Sequence, residues 1–271
     1  MQMDKEVTIV MTVWNVEPYV AAAIESAARQ TYKNIRLLIV DDCGTDNSME
    51  IVVNKIVELG ITDRTLILQH DKNMGFGNAM NTAISHINTE YVYFLDGDDE
   101  MQPDAIEKLM AKAQATDADI TLGSCLMTNQ TKTKTQQYST YPDMVIKTPQ
   151  AGIYLTAYAA PRIATEAWGK LYKTSLFQEY HIRTRNLILA DVMLWMQTAY
   201  YSSIVATIPD IVHIYRIREK SLCRRGWNTP GRQALLPKIR TEIAEFAAEH
   251  PCMGMDEVKA RMTRIVEVKM R

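Results

Sequence analysis

The stretch YVYFLDGDDE, residues 91–100, decides how the chain is read. Apolar and aromatic residues run as far as Leu95 and stop at Asp96; Asp98, Asp99 and Glu100 follow, with Gly97 between. The first half has the composition of a buried strand. The second half sets four carboxylates at its end. Carboxylates this close repel one another, and a low-dielectric edge strengthens the repulsion. A cation is expected among them.

The same rhythm extends outward. VTIVMTV (7–13), IRLLIV (35–40), TLILQ (65–69) and DITLGSC (119–125) are further apolar runs, and a helical pattern follows each of the first four strands. The helical stretches are 18–29, with Pro18 near the first turn; 46–59, with Ile51, Val52, Ile56 and Leu59 in phase before Gly60; 75–87; and 103–115, with Pro103 as first helical residue and Ile106, Leu109, Met110 and Ala113 on one face. Alternating apolar strands and helices predict an α/β fold, a Rossmann-like, mostly parallel sheet flanked by helices. Residues 127–143 are polar and read as a surface loop or exposed hairpin. A helix from about Thr148, the stretch EAWGKLYKTSLF (166–177), a helix at 190–202, short strands at 203–208 and 211–217, and helical patterns at 230–249 and from 256 complete the chain. The expected division is 1–126, 127–223 within the same domain, and a helical extension, 224–271.

Composition narrows the classes. The 271 residues are 47% hydrophobic and 23% charged, as in a soluble globular protein. A net charge of −2 demands no nucleic-acid partner, and none is expected. From Arg224 onward ten Lys/Arg face six Asp/Glu. Those basic helices either touch an anionic membrane surface or, the favoured reading, pack on the domain or a second subunit as a homodimer. Cys43, Cys125, Cys223 and Cys252 form no C-x-x-C pair, which argues against a thiolate metal site or disulfide framework and suits a reducing compartment. No signal-like leader and no 18-residue apolar run is found. The expected location is cytoplasmic, including the inner membrane face.

Open α/β sheets bind ligands beyond the carboxyl ends of their strands. Those ends deliver TVWN (12–15), DDCGTDNS (41–48), HDKNMGFGN (70–78) and DGDDE (96–100). Each alone reads equally as turn or cap chemistry; together they make an acidic, hydrogen-bonding cleft. A dinucleotide site is disfavoured, because the first strand–helix turn lacks G-x-G-x-x-G and Met80 stands where GFGNAM needs its last glycine. A receiver domain would carry its acidic pair on the first strand. An aspartate-nucleophile phosphatase using Asp96 is a minor alternative.

The ordered series VTIVMTVWN, QTYKNIRLLIVDDCGTDNS, NMGFGNAMNTAI and EYVYFLDGDDEMQPDAIEKL resembles the family-2 glycosyltransferases of GT-A fold, densely over 7–125 and loosely over 165–222. The resemblance implies an inverting transfer of a sugar from a nucleotide diphosphate, by family habit UDP, to a hydroxyl of a glycan or lipid-linked acceptor. It implies Mn²⁺ or Mg²⁺ at Asp98 and Asp99, with Asp99 the direct ligand and Asp98 also near the ribose. Hard carboxylate oxygens suit those ions, which neutralise a departing diphosphate. Asp96 is then a support for the loop or a water ligand, and Glu100 a helix N-terminal charge.

The resemblance further implies base recognition by Asp41, with Asp42 sharing that role or bracing the loop, and places Thr12, Trp14 and Asn15 along the nucleotide. Asn73 and Gly75 flank its pocket, and Arg216 and Arg218 grip the diphosphate. Asp191 matches the general base, although Ala190 replaces the acid that precedes it in the family; its structural alternative is a helix cap. Trp168 and His213 are weaker acceptor-side candidates, His213 as a metal or phosphate contact and Trp168 followed by Gly169 where Asn is commoner. A non-catalytic sugar-nucleotide or glycan-binding protein on the same scaffold is the alternative function.

Overall fold

A computed structural model describes residues 5–160, 162–185, 189–218 and 234–269. The expected boundary at 223/224 and Cys223 lie outside them, and the 126/127 division falls within a strand.

The first half alternates as its periodicity predicts: β1 (Val7–Val13), α1 (Val20–Ala28), β2 (Ile35–Asp41), α2 (Ser48–Glu58), β3 (Thr65–Gln69), α3 (Phe76–His86), β4 (Tyr91–Asp96), β5 (Glu100–Met101), α4 (Ala105–Thr116) and β6 (Ile120–Asn129). The second half holds β7 (Thr135–Ser139), β8 (Met144–Lys147), α5 (Ala151–Tyr154) continuing as a π-helical turn (Leu155–Ala159), β9 (Lys170–Lys173), α6 (Thr174–Glu179), α7 (Ala190–Tyr201), β10 (Ile204–Ile217), α8 (Leu235–Glu249) and α9 (Met255–Lys269).

One sheet runs β3-β2-β1-β4-β9-β6-β10-β5, with β7 beside β6 and β8 beside β10. β1 to β4 pair in parallel, as do β6 and β10, but β9 lies antiparallel between β4 and β6. The residues of EAWGKLYK thus insert a strand that no helical crossover announced. The two strands expected at 203–217 are one, β10, whose register shifts around Pro209, which has no N–H for a ladder. The 127–143 segment is the expected hairpin, β6 pairing antiparallel with β7. Pro103 precedes the cap of α4, Asp104, and so lies just before the first turn.

Apolar residues cover both sheet faces. α1, α2 and α4 bury Ile24, Val52, Ile56, Ile106 and Leu109 on one side. α3, α7 and the C-terminal helices fill the other. α7 buries eight residues, including Trp195, as a helix packed on most of its circumference does. Ile239, Ile243 and Phe246 of α8 and Val258, Met262 and Val266 of α9 enter this same core. The Arg261 guanidinium donates to the carbonyls of Thr156, Ala157 and Ala160, satisfying the end of the π-helical turn. The apolar residues of α8 and α9 therefore turn into the core of the domain. No described helix is long and apolar enough to cross a membrane.

Candidate active site

Register brings the polar residues together. At the end of β1, Val13 lies opposite Asp41 of β2 and Thr12 opposite Asp96 of β4. Asp41 and Asp96 thus stand one strand to either side of β1, about 5 Å per strand. Gly97 fits closely behind: a Cβ there would lie 3.2 Å from the Thr12 carbonyl oxygen and 3.1 Å from Val16 Cγ2.

On the β2 side the carboxylates are tied down. Asp41 Oδ1 accepts from Cys43 N at 3.0 Å and Oδ2 from Gln69 Nε2 at 3.2 Å. Asp42 Oδ1 accepts from Met74 N at 2.7 Å and faces His70 Nδ1 at 2.8 Å, while Oδ2 accepts from Gly75 N at 3.0 Å. Asp42 is the brace of the β3–α3 loop. Gly75 caps α3 at φ +86°, a conformation that glycine adopts without strain. Asn15 at φ +51° uses Oδ1 to hold Thr45 N at 2.8 Å. Trp14 is half-buried, and Asn73 is exposed.

On the β4 side, Asp96, Asp98 and Asp99 each offer an oxygen, and these lie within 4.8 Å of one another. Burial, then the charges of Asp98, Asp191 and Glu166, push the Asp96 carboxyl well above the usual carboxylate range. Burial, then Asp98 and Asp96, do the same to Asp99. Arginines answer this charge. Arg218 Nε pairs with Asp98, and its Nη1 reaches the Asn15 carbonyl at 3.5 Å. Arg216 pairs with Glu100 and donates from Nε to the Asp98 carbonyl at 3.1 Å. Both guanidiniums lie over the Tyr19 ring, at 5.1 and 5.7 Å. Lys132 of the hairpin also binds Glu100, at 2.8 Å. Glu100 is therefore part of this ion-pair network in β5 and not the N-terminal charge of α4, whose first turn carries Glu107.

Asp99 and His213 differ most from expectation. Asp99 is 1% exposed; Oδ1 accepts from Arg216 N at 2.7 Å and Oδ2 meets His213 Nε2 at 3.1 Å. His213 is fully buried, with Nδ1 2.9 Å from Tyr93 Oη, and Tyr93 Oη in turn accepts from Gly169 N at 3.2 Å. That order of donors leaves the tyrosine proton for Nδ1 and puts the imidazole proton on Nε2, facing Asp99. His213 sits behind the cluster, and Trp168, 2% exposed, stacks on it at 4.3 Å. Within the cluster Asp96 and Asp98 are half-buried, whereas Asp99 is buried.

Asp191 lies in the first turn of α7, and the capping position belongs to Leu189 at φ +68°. Its Oδ1 accepts from Ala167 N at 3.2 Å, and its charge acts on Asp96. Ala190 is 1% exposed and brings no polar side chain. Sequence reasoning passed over Tyr93, which reads as strand filler, and over Glu166, which also acts on Asp96 and accepts from Tyr138 Oη at 2.6 Å.

The sequence model of glycosyl transferase family 2 matches residues 8–185. The chain belongs to that family. Among curated relatives, the glycosyltransferase GlyA of Streptococcus pneumoniae is 29% identical over 91% of this chain and 35% of its own length. GlyG of the same organism is 28% identical over 90% of this chain and 81% of its own. The chain thus spans about a third of GlyA and most of GlyG. The fold is shared with TarS 1–349 of S. aureus, solved in complex with UDP-GlcNAc, at TM-score 0.74 and 18% identity over 97% of this chain and 72% of that one. It is also shared with the mannosyltransferase PcManGT of Pyrobaculum calidifontis, solved with GDP-Man and Mn²⁺, at TM-score 0.63 and 14% identity over 99% of this chain and 74% of that one. The GT-A architecture expected from the sequence is the one found.

Proposed function

We propose that this family-2 chain is an inverting glycosyltransferase that moves a sugar from a nucleotide-diphosphate donor, UDP-linked as in the TarS complex, to a hydroxyl of a glycan or lipid-linked saccharide. The observation that carries the reading is the convergence of Asp96, Asp98 and Asp99 at the end of β4, with Asp191 close enough to act on Asp96.

The donor set suits a divalent cation: all oxygens, close together, and placed where burial and mutual repulsion disfavour their charged forms without one. Asp96 and Asp98 would hold it, with Asp99 behind them fixed by His213 and the Arg216 amide. A bound Mg²⁺ or Mn²⁺ would supply charge neutralisation to the departing diphosphate. Asp41 accepts an N–H of the base, and Thr12, Trp14, Asn15, Asn73 and Gly75 line the nucleotide. Arg216 and Arg218 exchange carboxylate partners for diphosphate oxygens, which a guanidinium binds in the same forked geometry. Asp191 accepts the proton of the attacking hydroxyl as its oxygen bonds the anomeric carbon and the diphosphate oxygen leaves from the opposite face. An ordinary carboxylate is a weak base toward an alcohol, so this transfer comes late.

Thermal unfolding with UDP-GlcNAc, UDP-glucose and GDP-mannose, each with and without Mn²⁺, tests the reading. At a hundredfold excess over Kd the right donor adds about 2.7 kcal/mol, or roughly 5–10 °C. No shift with any nucleotide sugar or with UDP, in either metal condition, overturns it.

A further inference from the structure

We propose that Lys170 is a positioning residue for transfer: its buried ammonium group locks the peptide unit between Glu166 and Ala167, and that peptide orients the proposed base, Asp191. The inference rests on the transferase reading and adds to it a residue that acts through the base.

Lys170 opens β9 and is 1% exposed. Lysine is seldom buried this fully, because its charge must leave water and find partners. Here Nζ donates to the Glu166 carbonyl at 2.6 Å and to the Trp168 carbonyl at 3.3 Å, and lies 5.3 Å from the centre of the Trp195 ring. Trp195 is four residues beyond Asp191 on α7, so the two share a face of that helix. The ammonium therefore sits against the side of α7 that carries the base.

The two carbonyls bound by Lys170 bracket Ala167. The carbonyl of Glu166 and the N–H of Ala167 belong to one peptide unit, and that N–H donates to Asp191 Oδ1 at 3.2 Å. A trans peptide is planar, with its C=O and N–H pointing in opposite directions. Holding the oxygen on Lys170 thus aims the N–H at Asp191, and the two bonds polarise one another. Were the peptide to turn over, its carbonyl oxygen would face the carboxylate. The other end of the turn has anchors of its own: Gly169 N donates to Tyr93 Oη at 3.2 Å, and Gly169 O accepts from Gly123 N at 3.1 Å. The side that leads through Tyr93 and His213 to Asp99 keeps these anchors when the ammonium is removed, and the side that holds the base loses its own.

A merely structural Lys170 would raise the melting temperature and leave the turnover of the folded enzyme to other groups. The cycle of Lys170→Met, Asp191→Asn and the double variant separates the two roles. Methionine keeps an apolar stem in the core and removes the ammonium. The readout is nucleoside-diphosphate release from UDP-GlcNAc, UDP-glucose and GDP-mannose, with Mn²⁺ and p-nitrophenyl glycosides as acceptors. Lys170→Met is expected to lose about 10- to 100-fold in kcat, the scale of a misplaced reacting group. Its donor KM and UDP affinity should stay within about threefold of wild type, since the lost interaction bears on the transition state. In the Asp191→Asn background the same substitution is expected to cost less than about threefold, because a residue that acts through Asp191 has nothing left to position. Lys170→Gln, which keeps an N–H donor in the core at shorter reach, carries the same cycle where Lys170→Met does not fold. Wild-type kcat in the folded variant, or a loss that multiplies in full with that of Asp191→Asn, overturns the role of Lys170 alone. Wild-type turnover by Asp191→Asn overturns the base assignment and the role of Lys170 with it. A wild type that releases no nucleoside diphosphate from any of the three donors overturns the transferase reading beneath both.

Discussion

His213 Nε2 lies 3.1 Å from Asp99 Oδ2, across 114 residues of sequence and with both side chains wholly out of solvent. The imidazole is itself oriented by Tyr93 at 2.9 Å. Tyr93→Phe removes the donor to Nδ1 and the acceptor for Gly169 N. The expected cost is about 1–3 kcal/mol for a buried group left unpaired, read by urea unfolding. Divalent-ion affinity should weaken with it, because Asp99 then loses its fixed partner.

Acid stability reports the same pair. Burial pushes His213 down to about 3, so between that value and its usual value near 6.5 the unfolded chain binds a proton that the folded chain does not. The stability from a neutral His213 is complete above about pH 6.5 and is lost as pH falls toward 3. Asp96 and Asp99, pushed up by burial, have the opposite sign: they lose stability as pH rises above the ordinary carboxylate range. The difference between wild type and His213→Gln separates the two. Its expected course is a steady decline in the wild-type advantage from about pH 6.5 downward, followed by thermal unfolding; parallel curves would contradict it.

Asp96 is expected to trade stability for function. Its carboxyl is pushed up by burial and by Asp98, Asp191 and Glu166, so placing an ionisable acid at this position costs the metal-free protein stability at neutral pH. Asp96→Asn should raise the metal-free melting temperature by roughly 2–4 °C, for a gain on the order of 1 kcal/mol. It should also abolish the further rise produced by Mn²⁺. A melting point that falls, with the Mn²⁺ response intact, would refute the assignment.

Much of this was legible locally. β1 to β4 and α1 to α4 follow from apolar period and glycine and capping signals, and the carboxyl-end rule alone gathers Asp41, Asp96, Asp98 and Asp99 at one edge. What escaped depends on partners distant in sequence. β9 is a four-residue strand defined by its neighbours β4 and β6. Glu100 read as a helix charge because Arg216, 116 positions on, is invisible from its local sequence. Tyr93 looks like any strand aromatic until His213 lies beside it. His213 looked like a ligand candidate because a lone histidine carries no mark of its burial. Glu166 sits two residues before Trp168, yet its local sequence shows neither the bond from the Tyr138 hydroxyl nor its action on Asp96.

The most direct measurement is release of UDP from UDP-GlcNAc and UDP-glucose with Mn²⁺, with and without a glycoside acceptor, for wild type and Asp98→Asn. Wild type should release UDP, faster with acceptor, and stop on addition of a chelator; Asp98→Asn should fall by at least about a hundredfold, the scale of losing one charge-stabilising contact at a reacting centre. Release that ignores both the chelator and the substitution would contradict the claim that the carboxylates at the end of β4 hold the cation of a sugar-transfer site.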